Sequence, residues 1–351
     1  MSDGGQNWAW LGLLKWSLSY SDGTADSPST PMDAEKKAFL EAVMKDGIID
    51  ENERMKFILQ EMTKAMDSFR IGDTNVDIEH LENLLLELRD IVEQIDYARA
   101  FCALQGLPFL LGCIQERDAV PDPIRQSCLG TLATLCQNNP PVQLQLLELG
   151  SIKIFSDLLF SESSNSIKVK IMQAISANVR NHELAEEVFC RLEQANDVFT
   201  FGFQGEEPLQ RRTLFFLRAL ITADTADFGR VRLFEQQIAH VADSYVSDQV
   251  NFELRELSLE LINIILQQKK SINILLGERR KSIVSQGVQR VSSIRKLKGE
   301  EQEAAAYELE QWEQLLVMIA RAEPDPIPVE SNDVNNLLLG ESQGTIKNIP
   351  Q

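Results

Sequence analysis

The sequence predicts an all-α fold: a right-handed armadillo/HEAT-like helical solenoid of four repeats, with capping helices at both ends. Three observations predict it. From Met32 to Arg321 nearly every stretch carries helical rather than strand-like periodicity. Prolines fall at the joints between apolar stretches, as at Pro108, Pro121, Pro123, Pro140, Pro141 and Pro208. Four segments also repeat: "IRQSCLGTLATLCQNN" from Ile124, "IKVKIMQAISANVRNH" from Ile167, "LQRRTLFFLRALITAD" from Leu209 and "FELRELSLELINIILQ" from Phe252. Their starts lie 43, 42 and 43 residues apart (167−124, 209−167, 252−209). Such a period, with two or three helices per unit, is that of armadillo and HEAT arrays.

Residues 1–31 read as a flexible N-terminal segment. "NWAWLGLLKWSLSYSDGT" sets Trp8, Trp10 and Trp16 among Leu11, Leu13, Leu14 and Leu18, and a linker-like "SDGTADSPSTPMD" follows. The stretch fails as a signal peptide: it lacks a basic start, Lys15 interrupts the apolar run, and Asp22 and Asp26 occupy the place of a cleavage site. A docked helix, an interfacial helix and a partner-binding tail remain open. Residues 32–95 read as N-terminal capping helices. Thr74 and Asp77 form a capping-box pattern that starts a helix near Asn75, with an apolar face of Leu81, Leu84, Leu85, Leu88, Ile91, Val92 and Ile95.

The repeats fall at roughly 96–139, 140–182, 183–224 and 225–268. In the first, Ile124, Leu129, Leu132 and Leu135 form one stripe. Ile167, Met172 and Ile175 do so in the second, Leu209, Leu214, Leu217 and Leu220 in the third. The fourth keeps Phe252 and Leu257, then drifts to Leu261 and Ile264. Spacings of five and three share a helix face. Shorter helices precede the first two segments, opened by Gly106 and Gly150, where glycine allows a sharp turn. No unit can bury its own stripe, so units must stack. Residues 269–323 read as a C-terminal helical cap, with Tyr307, Trp312, Leu315 and Leu316 to bury, and 324–351 as a disordered tail.

Composition excludes several functions. With 351 residues, a formal net charge of −19 and a pI near 4.7, the chain lacks the basic surface that nucleic-acid binding requires. Nine Lys/Arg against the single acid Glu278 make Lys269 to Lys298 locally basic. Its candidate roles are a solvated face or an anionic-surface contact. Cys102, Cys113, Cys128, Cys136 and Cys190 are odd in number and contain no C-x-x-C, which suits buried reduced thiols in the cytoplasm. No apolar run is long enough to span a membrane. His80, His182 and His240 are too scattered to form a ligand set, and no nucleotide-loop, nucleophile-elbow or zinc-protease motif occurs. "DTNVDIEHLENL" imitates a calcium loop at Asp73, Asn75 and Asp77, but Ile78 replaces the glycine and Leu84 the bidentate glutamate. We therefore expect no catalytic residue, metal or cofactor. Helical solenoids present extended binding surfaces, so a protein partner is the expectation.

Four landmarks occur in a fixed order: "LLKWSLSYSDGT", "IEHLENLLLELRDIVEQIDYARAF", "QNNPPVQLQLLELG" and the four armadillo-like units. Together, over roughly residues 7–270, they resemble the armadillo-type nucleotide exchange factors of cytosolic 70-kDa heat-shock chaperones (the Fes/heat-shock-binding-protein family), especially its plant branch. The resemblance implies a monomeric, non-enzymatic co-chaperone in the cytoplasm that grips one lobe of the chaperone's ATPase domain and drives out ADP. The alternative is an armadillo scaffold for another partner. In such folds the last helix of each repeat builds the concave wall. This points to Arg125, Asn138, Asn139, Asn178, Arg180, Arg212, Arg218 and Arg255, with Ala98 and Arg99 from "IDYARAF". The resemblance also implies that Trp8, Trp10, Leu11, Leu13, Leu14 and Trp16 form a client-like segment. It would compete for the chaperone's peptide-binding groove.

Overall fold

The computed structural model describes residues 50–247, 249–268, 277 and 279–321. Regular structure among the described residues is entirely helical. The chain divides between Gln194 and Ala195 into two compact units. This division falls inside the third expected repeat.

The first unit contains α1 (Glu51–Arg70), α2 (Ile78–Val92), α3 (Ile95–Ala103), α4 (Gly106–Gln115), α5 (Asp122–Cys136), α6 (Pro140–Glu148), α7 (Ser151–Ser161), α8 (Asn165–Val179) and α9 (Glu183–Arg191). Its spine is a ladder of every third helix: α5 packs along α2 on one side and α8 on the other. The expected stripes drive this stacking. Ile124, Leu129, Leu132 and Leu135 of α5 and Ile167, Met172 and Ile175 of α8 are fully or almost fully buried. The apolar face of α2 is buried from Leu81 to Val92, whereas Ile95, expected on that face, opens α3 and is 50% exposed. An Arg54–Glu87 ion pair ties α1 to α2.

Local signals place the helix ends with two corrections. Helix α2 starts at Ile78, not near Asn75. Its cap is Asp77, whose carboxylate accepts from the His80 N–H at 3.0 Å. Asp73 instead accepts from the Asn75 N–H at 2.9 Å and shapes the preceding turn. At Gly150 the backbone has φ +73°, as a glycine-led turn requires. At the 77° bend between α3 and α4 the left-handed residue is Gln105 (φ 62°), not Gly106. Gly106 is needed for a different reason: a Cβ there would come within 2.2 Å of the Phe101 ring.

The second unit contains α10 (Ala195–Phe203), α11 (Glu207–Thr222), α12 (Phe228–Leu233), α13 (Glu235–Ser244), α14 (Phe252–Gln267), α15 (Arg280–Ile294), α16 (Glu300–Ala304) and α17 (Ala306–Arg321). Here α14 packs between α11 and α17. Phe199 meets Phe216 and Phe234 at ring-centroid separations of 5.2 and 5.1 Å. Trp312 is fully buried, and Gly287 of α15 lets the helices approach it: a Cβ at Gly287 would lie 2.8 Å from the indole. Leu315 is buried as expected, but Tyr307 is 43% exposed.

The register of the fourth segment is also corrected. Of the expected positions Leu261 is fully buried, but Phe252 is 56% exposed and Leu257 and Ile264 are half-buried, while Leu254, Leu259, Ile262 and Ile265 are buried. These last four lie 45 residues after Leu209, Leu214, Leu217 and Leu220 (254−209, 259−214, 262−217, 265−220), not the expected 43 drifting to 44. The connection into α14 is longer, and an apolar residue at the helix start imitates the stripe.

Candidate partner-binding face

Corrected register defines which side of each ladder helix is left uncovered. On α2 it is the stripe Asn83, Leu86, Asp90; on α5, Ser127, Gly130, Thr134; on α8, Lys170, Gln173, Ala177. Successive stripes lie 44 and 43 residues apart. Their side chains are exposed or half-buried except at Gly130 and Ala177, which project little or nothing. A Cβ added at Gly130 meets no atom within 4 Å, so the space over α5 is open. Within the second unit the corresponding stripes are Arg212, Phe215, Ala219 on α11 and Leu257, Glu260, Ile264 on α14, 45 apart.

The expected contact residues divide against this frame. Arg99, Asn138 and Arg212 are exposed, and Arg180 is half-buried, on the stripe position that follows Ala177. Arg218 is half-buried and ion-paired with Glu260, which also accepts from the Tyr307 hydroxyl. Ala98, Arg125, Asn139, Asn178 and Arg255 are buried, at 1, 2, 3, 0 and 3% exposure, and offer nothing to a partner. The cause is helical phase: Arg125, Asn178 and Arg255 each precede a stripe position by two residues, a rotation of about 200° toward the core. Asn138, with φ 53°, and Asn181, with φ 58°, are repeat-equivalent left-handed turn residues. The client-like residues Trp8, Trp10, Leu11, Leu13, Leu14 and Trp16 lie outside the described residues.

The buried polar residues hold the repeats together. Arg125, Gln210 and Arg255 occupy one repeat position, 85 and 45 residues apart (210−125, 255−210), and each donates to carbonyls at or after the end of the preceding helix. Arg125 binds the Ile114 carbonyl at 3.3 Å and pairs with buried Glu162. Burial works to raise the Glu162 carboxyl, but the Ser164 N–H and Arg125 outweigh it and hold it below its ordinary range. Arg255 reaches both oxygens of Glu308 at 2.6 and 2.8 Å, and Arg290 reaches the same two at 2.7 and 2.9 Å. Asn178 donates to the Ser151 hydroxyl at 2.7 Å. Gln143 of α6 donates to the Ala177, Asn178 and Arg180 carbonyls, closing the C-terminal end of α8. Of the stripe positions the sequence pointed to Arg180 and Arg212 and missed the rest. The signal of the stripe was the polar recurrence Ser127, Lys170, Arg212 at the repeat spacing.

Among the described residues no group of three or more His, Cys, Asp or Glu converges as a metal centre would need, and no single helix is long and apolar enough to cross a membrane.

Comparison with known proteins gives these features a context. Residues 11–101 match the family model of nucleotide exchange factor Fes1. Over 215 residues the chain is 29% identical to Hsp70-binding protein 1 of Mus musculus, covering 60% of this chain and 59% of that protein. It is 29% identical over 162 residues to Hsp70 nucleotide exchange factor fes1 of Schizosaccharomyces pombe, covering 46% of this chain and 55% of the relative. The matches thus span under two thirds of the length of these curated relatives. A designed armadillo repeat protein superposes with a TM-score of 0.52 at 12% identity, covering 75% of this chain and 98% of the other, which shows an armadillo-like fold. Over the matched residues the chain is therefore similar to Hsp70 nucleotide exchange factors and Hsp70-binding proteins.

Proposed function

We propose that this chain is a cytoplasmic, monomeric co-chaperone. It binds the ATPase domain of a cytosolic 70-kDa heat-shock chaperone and promotes ADP release without bond-making chemistry of its own. One observation carries the reading: the Fes1 match over residues 11–101 runs through α1, α2 and most of α3, in the unit that presents the uncovered α2–α5–α8 stripe. The contact residues we favour in that unit are Ser127, Thr134, Gln173 and Arg180, with Arg99. In the second unit, Arg212 has an exposed guanidinium suited to a partner carboxylate. Exchange factor and ADP would bind with negative coupling, and the coupling must be reciprocal: ADP weakens the factor's grip by the factor that the protein weakens ADP. We assign the N-terminal segment around Trp8 to Trp16 to the chaperone's peptide-binding groove, where it would aid client release.

The test is the rate of labelled ADP release from a purified cytosolic chaperone ATPase domain, with and without the protein. Acceleration that saturates with protein concentration is the expected result. An unchanged rate at saturation points instead to a scaffold for another partner.

A further inference from the structure

We propose that a pocket within the second unit receives the lysine or arginine side chain of a partner peptide. The pocket has a volume of about 430 Å³ and lies beside the first turns of α14, against the segment leading from α15 to α17. Leu297, Ala304 and Ala305 supply apolar walls, and Phe252 contributes a ring that remains 56% exposed. Such space is ordinary for a binding cavity, about 300–1,000 Å³.

Its electrostatics select the occupant. Glu308 lines the pocket but is already answered by both Arg255 and Arg290. Along α14, Glu253 pairs with Arg211 and Glu260 with Arg218. Glu256 stands between them, half-buried, and no hydrogen bond or ion pair engages its carboxylate among the described residues. Burial first, and then the charge of Glu308, push its carboxyl up, against the pull of the nearby Arg255 guanidinium. An anionic ligand would meet this surplus charge. A purely apolar one would desolvate Glu256 without a partner. Arg290 also lines the pocket but is engaged by Glu308, and Glu301 adds an exposed carboxylate, so the lining keeps a surplus of negative charge. A lysine or arginine fits it: the methylene stem lies along Leu297 and the alanines, and the cation reaches Glu256 with the Phe252 ring beside it.

The test uses the full-length chain and a fluorescein-labelled pentapeptide, Leu-Val-Lys-Val-Leu, read by fluorescence anisotropy. A second probe carries norleucine in place of lysine. Saturable binding of the lysine probe, about ten-fold tighter than the norleucine probe, is expected, as is a loss of about that size in Glu256→Gln. Phe252→Ala should weaken the lysine probe as well, with circular dichroism confirming retained helix in both variants. Equal affinity for the two probes, or no effect of Glu256→Gln, overturns the proposal. The chain's own apolar segment around Lys15 is the competing occupant. If Lys15→Ser raises probe affinity about ten-fold, that segment fills the pocket and the partner assignment falls.

Discussion

Glu308 is almost wholly buried yet keeps its charge, because two guanidiniums share its two oxygens. Burial raises its carboxyl, but Arg290 and Arg255 outweigh that and hold it at about 2, against an ordinary 4.5. The folded-state value is depressed, so the stability it contributes is complete above the unfolded value and disappears as pH falls from about 4.5 toward 2. Glu308→Gln leaves two cations facing a neutral amide and should cost about 3–5 kcal/mol at neutral pH. Urea unfolding at a series of pH values should also show a shallower loss of stability below pH 4.5 in the variant. Parallel curves would show that the site is not the acid-sensitive element. Arg125 and Arg255 show what was legible at this scale and what was not. Their presence on the last helix of a repeat is plain in the sequence, but their direction depends on helical phase, and two residues separate an outward arginine from a core staple.

The repeating element is the ladder helix, and its spacing was legible because Ile124, Ile167 and Leu209 open equivalent stripes of buried apolar residues. The fourth register was not, because Phe252 is apolar for a surface reason: it lines a pocket. The chain folds its long-range contacts through side-chain amides as well as stripes. Gln143→Ala would leave the Ala177, Asn178 and Arg180 carbonyls without their shared donor. About 1–3 kcal/mol of destabilisation is expected, together with faster amide exchange in the last turn of α8. Unchanged exchange there would mean that water replaces the cap at no cost. The same helices sequester their thiols. Burial pushes Cys102 up to about 11 and raises Cys128 and Cys136 as well, the last two fully buried, and for Cys128 the neighbouring Cys113 thiol is the larger cause. Iodoacetamide on the folded protein should therefore modify the partly exposed Cys190 first, and Cys102, Cys128 and Cys136 only as the chain unfolds. Mass spectrometry of the labelled peptides distinguishes the two outcomes.

For the whole molecule, the proposed activity divides between a folded ladder and an N-terminal segment, and the two can be disabled separately. Gly130 offers the cleaner lesion in the ladder. A side chain there enters open space over α5, and replacing a mid-helix glycine favours the helix rather than opposing it. Gly130→Trp should therefore retain helical content and thermal stability, yet obstruct a partner lying across α2, α5 and α8. A reduction of at least about ten-fold in affinity for the chaperone ATPase domain is expected, equivalent to about 1.4 kcal/mol. ADP release would slow in proportion at subsaturating protein. Removal of residues 1–20 is the complementary lesion. It takes away Trp8, Trp10 and Trp16 and leaves α1 to α9 intact in sequence, so ADP release should continue at the full rate. Release of a bound client from the intact chaperone should slow, because nothing then competes for the peptide-binding groove. If both rates fall together in the truncated protein, the tryptophan segment packs on the helical body and supports the fold. If neither falls, the segment acts on something other than the chaperone.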